Sequence, residues 1–351
     1  MTYKETLFFV GKCLTINHED HNKKIVEDLL KESTVDWDNV VKLSTEHYVF
    51  PALYCNLKRA DFLYYLPEDL VSYMEHITEL NRDRNTQIIE QAKEINELLL
   101  AHNITPIFLK GTGNLLEGLY EDIAERMVGD IDFLVSDENF TKSITFLKDN
   151  GYQKFHKDKL DTTVINRHYP KMIKEDNIAS IEIHYKMVSS PKISEFNYDF
   201  IFPNIKKTED IFTLSDNDKV ILTTCNKQFN DEGKTYKNFN LRSSYDLFLL
   251  SKKCAPLESI EKLKNHKHLN SFLYSCFELF NKPKSIDFKS NKLAKTFFSN
   301  QVKLLETPRS ETQKKILFYK LLTSGRINKL YKAFFSKEYR DYLKNRFRSN
   351  S

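Results

Sequence analysis

Glycine and proline are scarce in this 351-residue chain, at 8 and 9 residues. That balance disfavours turn-rich sandwiches and barrels and predicts long helices. The five cysteines are odd in number and widely separated, with no CxxC pair and no Cys/His pair at zinc spacing. A cysteine-based metal site and a disulfide framework are therefore excluded, and the cysteines read as reduced, mostly buried small apolar residues. Charge of one sign is also lacking, since 53 Lys and Arg face 49 Asp and Glu for a net +4. A nucleic-acid partner cannot be read from that total, so any basic patch must be local. No stretch reaches the roughly 18 uninterrupted apolar residues of a membrane span, and the first residues carry no signal-like cationic and apolar segments. The expectation is a soluble, cytoplasmic protein with no membrane partner. What is present is 40% hydrophobic and 13% aromatic material, which rules out disorder. The length exceeds what one compact core usually holds, so two or three units are expected.

Apolar positions recur at helical spacing from Asn22 to Asn103. Pro51 opens one run, and Pro67 precedes a long one through Met74, Ile88, Ile95 and Leu99 that predicts one long helix or two joined ones. Near Thr105 the texture changes to a short apolar run, Pro106 to Leu109, then Lys110-Gly-Thr-Gly113, then helical spacing again. Strand, turn and helix follow from it. Asp130 to Val135 predicts a strand and Glu138 to Asn150 a helix closed by Gly151. Tyr152 to Phe155, His168 to Lys174 and Ala179 to Met187 predict further strands, the last two forming a hairpin around Glu175-Asp-Asn177. After Pro203 only helical spacing is expected. The predicted division is a helical region over 1–103, a small α/β unit over 104–205, and a helical region over 206–351.

Asp130 and Asp132 are separated by one residue in an otherwise apolar strand, so both carboxylates share a face and repel. A divalent cation between them makes that tolerable, and hard oxygen ligands suit Mg²⁺. The bland alternative is a strand end with two solvated aspartates. Glu182-Ile-His184 repeats the pattern, and Glu182 completes a three-carboxylate site if the two strands are neighbours. Two metal ions held by such a triad would suit an in-line phosphoryl or nucleotidyl displacement. Lys110-Gly-Thr-Gly113 lies where backbone N–H groups favour phosphate, but its spacing is that of neither a P-loop nor a dinucleotide fingerprint.

The order of these features resembles the nucleotidyltransferase superfamily of the β-type DNA polymerases, and more closely its uncharacterised bacterial branch. The matching residues are Leu109-Lys-Gly111, Arg126, Gly129-Asp-Ile-Asp132 and Glu182-Ile-His184, with His168 before the last strand. The resemblance implies an α+β fold: a small mixed β-sheet with helices, flanked by N- and C-terminal helical regions. It also implies a Mg²⁺- or Mn²⁺-dependent enzyme that transfers NMP from a nucleoside triphosphate to a hydroxyl and releases pyrophosphate. Asp130, Asp132 and Glu182 would be catalytic and hold metal, Glu182 orienting or deprotonating the acceptor. Lys110, Gly111, Thr112, Arg126, His168 and His184 would serve the nucleotide. Whether Glu182 or His184 acts on the acceptor stays open. Gly-Thr replaces the superfamily's usual Gly-Ser, and the stretch from Thr112 to Asp130 is longer than in minimal members.

Lys227 and Arg242 in the later helices are further candidates for the nucleotide, although Arg242 with Asp246 also reads as an i,i+4 ion pair. From Lys314 onward eleven Lys and Arg face only Glu338 and Asp341, with Tyr331, Phe334, Phe335, Tyr339, Tyr342 and Phe347 interspersed. That mixture suits a nucleic-acid surface or a packed helix with a solvated face. The acceptor is unknown: a small molecule, RNA or protein. Two rival readings are a toxin–antitoxin transferase acting on tRNA or protein, and a catalytically inactive nucleotide- or RNA-binding module.

Overall fold

The computed structural model describes residues 1–155, 167–337, 339–341 and 343–344. Glu338, Tyr342, Arg346, Phe347 and Arg348 of the basic segment lie outside them.

The N-terminal region is helical, with Tyr3–Cys13, Asp20–Lys31, Trp37–Glu46 and Phe50–Arg59 preceding Glu68–Leu100. Thr2 and Glu5 form a reciprocal capping box that fixes the first helix start. Glu68–Leu100 is one helix because neither glycine nor proline interrupts it; Pro67 stands at its N-cap. Its buried stripe runs through Met74, Thr78, Asn81, Asn85, Ile88, Ala92, Ile95 and Leu99, alternating steps of four and three.

Among the described residues seven strands follow: β1 (Ile107–Phe108), β2 (Asp130–Leu134), β3 (Gln153–Lys154), β4 (Met172–Ile173), β5 (Ser180–His184), β6 (Lys206–Thr208) and β7 (Ile211–Thr213). They form one mixed sheet in the order β3-β4-β5-β2-β1-β7-β6. β2 pairs with β5 in parallel and with β1 antiparallel, so the strand bearing the paired aspartates is central. The His168-to-Lys174 strand shrinks to β4, and His168 joins the sheet by a single bridge to His184. β6 and β7 extend the sheet beyond residue 205, where helical spacing alone is expected. They form a hairpin around Glu209, which takes a left-handed backbone, and β7 lies parallel to β1. Strands of two or three residues are too short to show a period.

The helix Lys110–Leu116 begins at once after β1, so Lys110-Gly-Thr-Gly113 is its first turn. A Cβ at Gly113 would lie 2.6 Å from the Phe108 carbonyl oxygen, so only glycine lets the helix pack this closely on β1. Beyond the sheet, Asp216–Cys225 runs into a π-helical turn at Asn226–Asn230, followed by Leu241–Ser251, Lys267–Leu279, Lys292–Glu306 and Glu311–Phe335. One apolar core runs through all three regions, from Leu7 and Leu53 through Phe133 and Ile183 to Phe248 and Leu273. Four of the five cysteines are buried in it, and burial pushes the Cys55 thiol up to about 12. No described helix is long and apolar enough to cross a membrane.

Candidate metal centre and nucleotide cleft

The parallel register of β2 and β5 sets Asp132 directly beside Glu182, and Leu134 beside His184. Alternation then turns Asp130, Asp132, Glu182 and His184 to one face and Ile131, Phe133, Ile181 and Ile183 to the other. Among the described residues, Asp132, Glu182 and His184 form a group whose ligand-capable atoms all lie within 4.8 Å of one another. All three are buried. His184 Nε2 stands 2.8 Å from Asp132 Oδ1 and 3.4 Å from Glu182 Oε2.

Two lysines compensate these carboxylates. Lys110 takes a left-handed backbone, φ 51°, and its ammonium lies 2.5 Å from Asp132 Oδ1 and 3.9 Å from Glu182 Oε2. Such a φ is uncommon for a residue with a Cβ, and the ion pair offsets its cost. Lys171 Nζ lies 2.6 Å from Asp130 Oδ2 and 3.6 Å from Glu182 Oε1. Burial works to raise the Asp132 pKa, but Lys110 and His184 overcome it and hold the carboxyl far below the usual range. Glu182 is lowered in the same way, its burial outweighed chiefly by the His184 hydrogen bond. Asp130 moves the other way, raised by burial and by Asp132. His168 has its Nε2 3.7 Å from Glu182 Oε2 and its pKa lowered by burial.

A cleft with about 190 Å³ of water-accessible space opens beside this group, bordered by Lys110, Gly111, Arg126, Asp130, Asp132, Arg167, Lys219 and Arg242. A Cβ at Gly111 would lie 3.0 Å from Val128 Cγ2 and 3.5 Å from Arg126 Cζ, so side-chain bulk there would narrow the cleft. Arg126 is buried, and its Nε donates to both carboxylate oxygens of Asp246 at 3.0 and 3.1 Å. Asp246 also accepts the Tyr120 hydroxyl at 2.7 Å.

A family model described as uncharacterised nucleotidyltransferase matches residues 33–283. The chain belongs to that family. Comparison with curated proteins and with solved structures gave no match. The matched span holds every strand of the nucleotidyltransferase sheet, the helix Glu68–Leu100 and Asp246, but not Glu311–Phe335.

The remaining sequence candidates divide. Thr112 is buried and gives its hydroxyl to the Asp130 carbonyl at 3.0 Å, which ties the helix start to β2 and leaves Thr112 off the cleft wall. Arg242 lines the cleft but does not pair with Asp246. It donates to the Met127 carbonyl at 3.4 Å and stacks its guanidinium 4.9 Å from the Tyr48 ring. Among the described residues its buried Nε, like that of Arg167, has no hydrogen-bond partner. Lys227 is buried away from the cleft wall, donating to Asn238 Oδ1 at 2.9 Å. Burial pulls its ammonium down to about 8 from an ordinary 10.5. Between those values the folded chain binds fewer protons than the unfolded one, so Lys227 costs stability at neutral pH and that cost fades as pH rises towards 10. Lys227→Met is expected to stabilise the protein by about 1–2 kcal/mol at pH 7 and by less at pH 10. Thermal unfolding at the two pH values checks it.

Sequence reasoning missed Lys171, Arg167 and Lys219. Each is one of 53 basic residues with no local pattern to mark it.

Proposed function

We propose that this protein is a divalent-metal-dependent nucleotidyltransferase that moves NMP from a nucleoside triphosphate to an acceptor hydroxyl. The observation that carries this reading is the register of Asp132 beside Glu182, which gathers two carboxylates and His184 beside a cleft bordered by arginines. The donor set suits a divalent cation: carboxylate oxygens are the ligands of Mg²⁺ and Mn²⁺, and imidazole is tolerated by Mn²⁺. Asp132, Glu182 and His184 would hold the ion, with Asp130 completing its oxygen ligands from the same face. Bound there, the ion would act as a Lewis acid on the phosphate oxygens.

The protein's own groups do the rest by positioning and charge. Arg126, locked by Asp246, would offer its Nη2 to phosphate beside Gly111 on the cleft wall. Arg167 and Arg242 add positive charge from the other cleft walls. The acceptor oxygen attacks the α-phosphorus, and the bond from α-phosphorus to the bridging oxygen breaks. Pyrophosphate leaves with the bonding pair, and Glu182 takes the acceptor proton.

Incubation with each α-labelled nucleoside triphosphate, Mn²⁺ or Mg²⁺ and cell extract tests the reading. Label is expected to enter an acceptor, to stop with excess EDTA and to return when metal is restored. No incorporation from any nucleotide, or incorporation indifferent to EDTA, would sink it.

A further inference from the structure

The two lysines at the acidic face take up positions that suit metal ions. Lys110 Nζ reaches Asp132 Oδ1 at 2.5 Å and Glu182 Oε2 at 3.9 Å, while Lys171 Nζ reaches Asp130 Oδ2 at 2.6 Å and Glu182 Oε1 at 3.6 Å. Each ammonium thus spans one aspartate and one oxygen of the same glutamate, as a pair of bridging divalent ions would. Asp132 and Glu182 are buried side by side, and without a cation between them each would drive the other towards protonation. The lysines supply that cation from within the chain.

Lysine and metal compete for this place. A carboxylate oxygen has two lone pairs, and those of Asp132 Oδ1 already meet Lys110 Nζ at 2.5 Å and His184 Nε2 at 2.8 Å. An ion that takes this oxygen therefore displaces the ammonium. Charge leads to the same result. Asp130, Asp132 and Glu182 face two ammonium groups, and a divalent ion added with both still in place would carry the group past neutrality in a largely buried setting.

The two lysines differ in where they can go. Lys110 borders the cleft beside Gly111 and Arg126, so its released ammonium stays within the space for phosphate. Lys171 is not on that wall, and its side chain is 43% exposed, so it is released to water. We propose that Lys110 is a placeholder for the metal, neutralising the acidic group in the free enzyme and moving from Asp132 to the triphosphate when metal and nucleotide bind. Lys110 then strengthens nucleotide binding only when metal is present, which adds to the coupling between the two ligands. The inference rests on the metal-dependent transfer reading above and assigns Lys110 its part in it.

Binding is measured without turnover, so the two ideas fail separately. The full chain, stripped of metal with EDTA and desalted, is titrated with Mn²⁺ while free ion is counted by electron paramagnetic resonance. Lys110→Met is expected to bind Mn²⁺ alone about tenfold more tightly than wild type, since the ion no longer has to break a charged hydrogen bond. Nucleotide affinity is then measured with the α,β-methylene analogue of each nucleoside triphosphate, once in EDTA and once in Mn²⁺. Lys110→Met should weaken binding of the preferred analogue about tenfold in Mn²⁺ and leave it unchanged in EDTA. Circular dichroism checks that the variant is folded. Lys171→Met should tighten Mn²⁺ binding in the same direction, and it tests the competition on its own if Lys110→Met does not fold. Equal Mn²⁺ affinity in wild type and variants would overturn the proposal. So would a nucleotide affinity that Lys110→Met leaves unchanged in Mn²⁺, or weakens equally with and without metal, as a lysine fixed on the phosphates would give. A wild type that binds neither Mn²⁺ nor any analogue would refute the metal-dependent reading, and this inference with it.

Discussion

Asp132→Asn is expected to reduce nucleotide transfer by about 10³-fold or more, since a metal-ligating carboxylate supplies several kcal/mol of charge stabilisation and each 1.36 kcal/mol is tenfold. The same change should also weaken the fold. From sequence alone, removing one of two adjacent like charges looks nearly harmless to stability. The structure overturns that expectation, because Asp132 is buried between Lys110 and His184 and its pKa is depressed rather than raised. Asparagine forfeits the ion pair, with an expected loss of about 2–3 kcal/mol in urea unfolding. The pH dependence has a defined sign. A carboxyl whose folded pKa lies below its unfolded value of 3.8 contributes stability that is complete at neutral pH and lost as pH falls below about 4. The gap between wild type and variant should be constant from pH 7 to 5 and close below about 4. Glu182, also lowered, adds to the wild type's acid sensitivity, and Asp130, raised, subtracts from it. A gap that widened in acid would contradict the pairing.

The largest stability effect is expected at Asp246. It accepts hydrogen bonds from Arg126 and Tyr120, so Asp246→Ala strands a largely buried guanidinium at the cleft wall. Breaking a buried pair on one side costs about 3–5 kcal/mol. Replacing both partners by apolar groups leaves no orphaned charge, so the double variant Arg126→Met with Asp246→Leu should unfold at higher urea than either single change. Their non-additivity measures the coupling. Transfer should stay lost in the double variant, since the cleft no longer has its fixed cation. Recovered stability with recovered transfer would show that Arg126 is structural only.

The shared face of Asp130 and Asp132 was legible from the two-residue period, and so was that of Glu182 and His184. Their mutual alignment was not, because register is set by pairing between strands about fifty residues apart and leaves no mark on either segment. The group able to hold a metal ion is Asp132, Glu182 and His184, while Asp130 pairs with Lys171. Asp246 shows the opposite hazard. Its local geometry suggested Arg242 one turn earlier, whereas its partner is Arg126, 120 residues away. The helices were legible almost throughout, because ten or more residues display a period that three-residue strands such as β6 and β7 cannot.

The helix Glu68–Leu100 carries a consequence for how the molecule can be cut. Asn85 donates to the carbonyls of Ile123 and Arg126, Gln91 pairs with both backbone groups of Ala179 at the entrance to β5, and Asn96 donates to the Asp210 carbonyl in the β6–β7 turn. One rigid rod thus acts as an alignment jig for three separate connections. Inserting a single residue between Asn85 and Gln91 would swing the amides on one side about 100° from their targets. An excised sheet would keep its strands in sequence but lose the part that holds their ends in step, so the sheet is not a portable module.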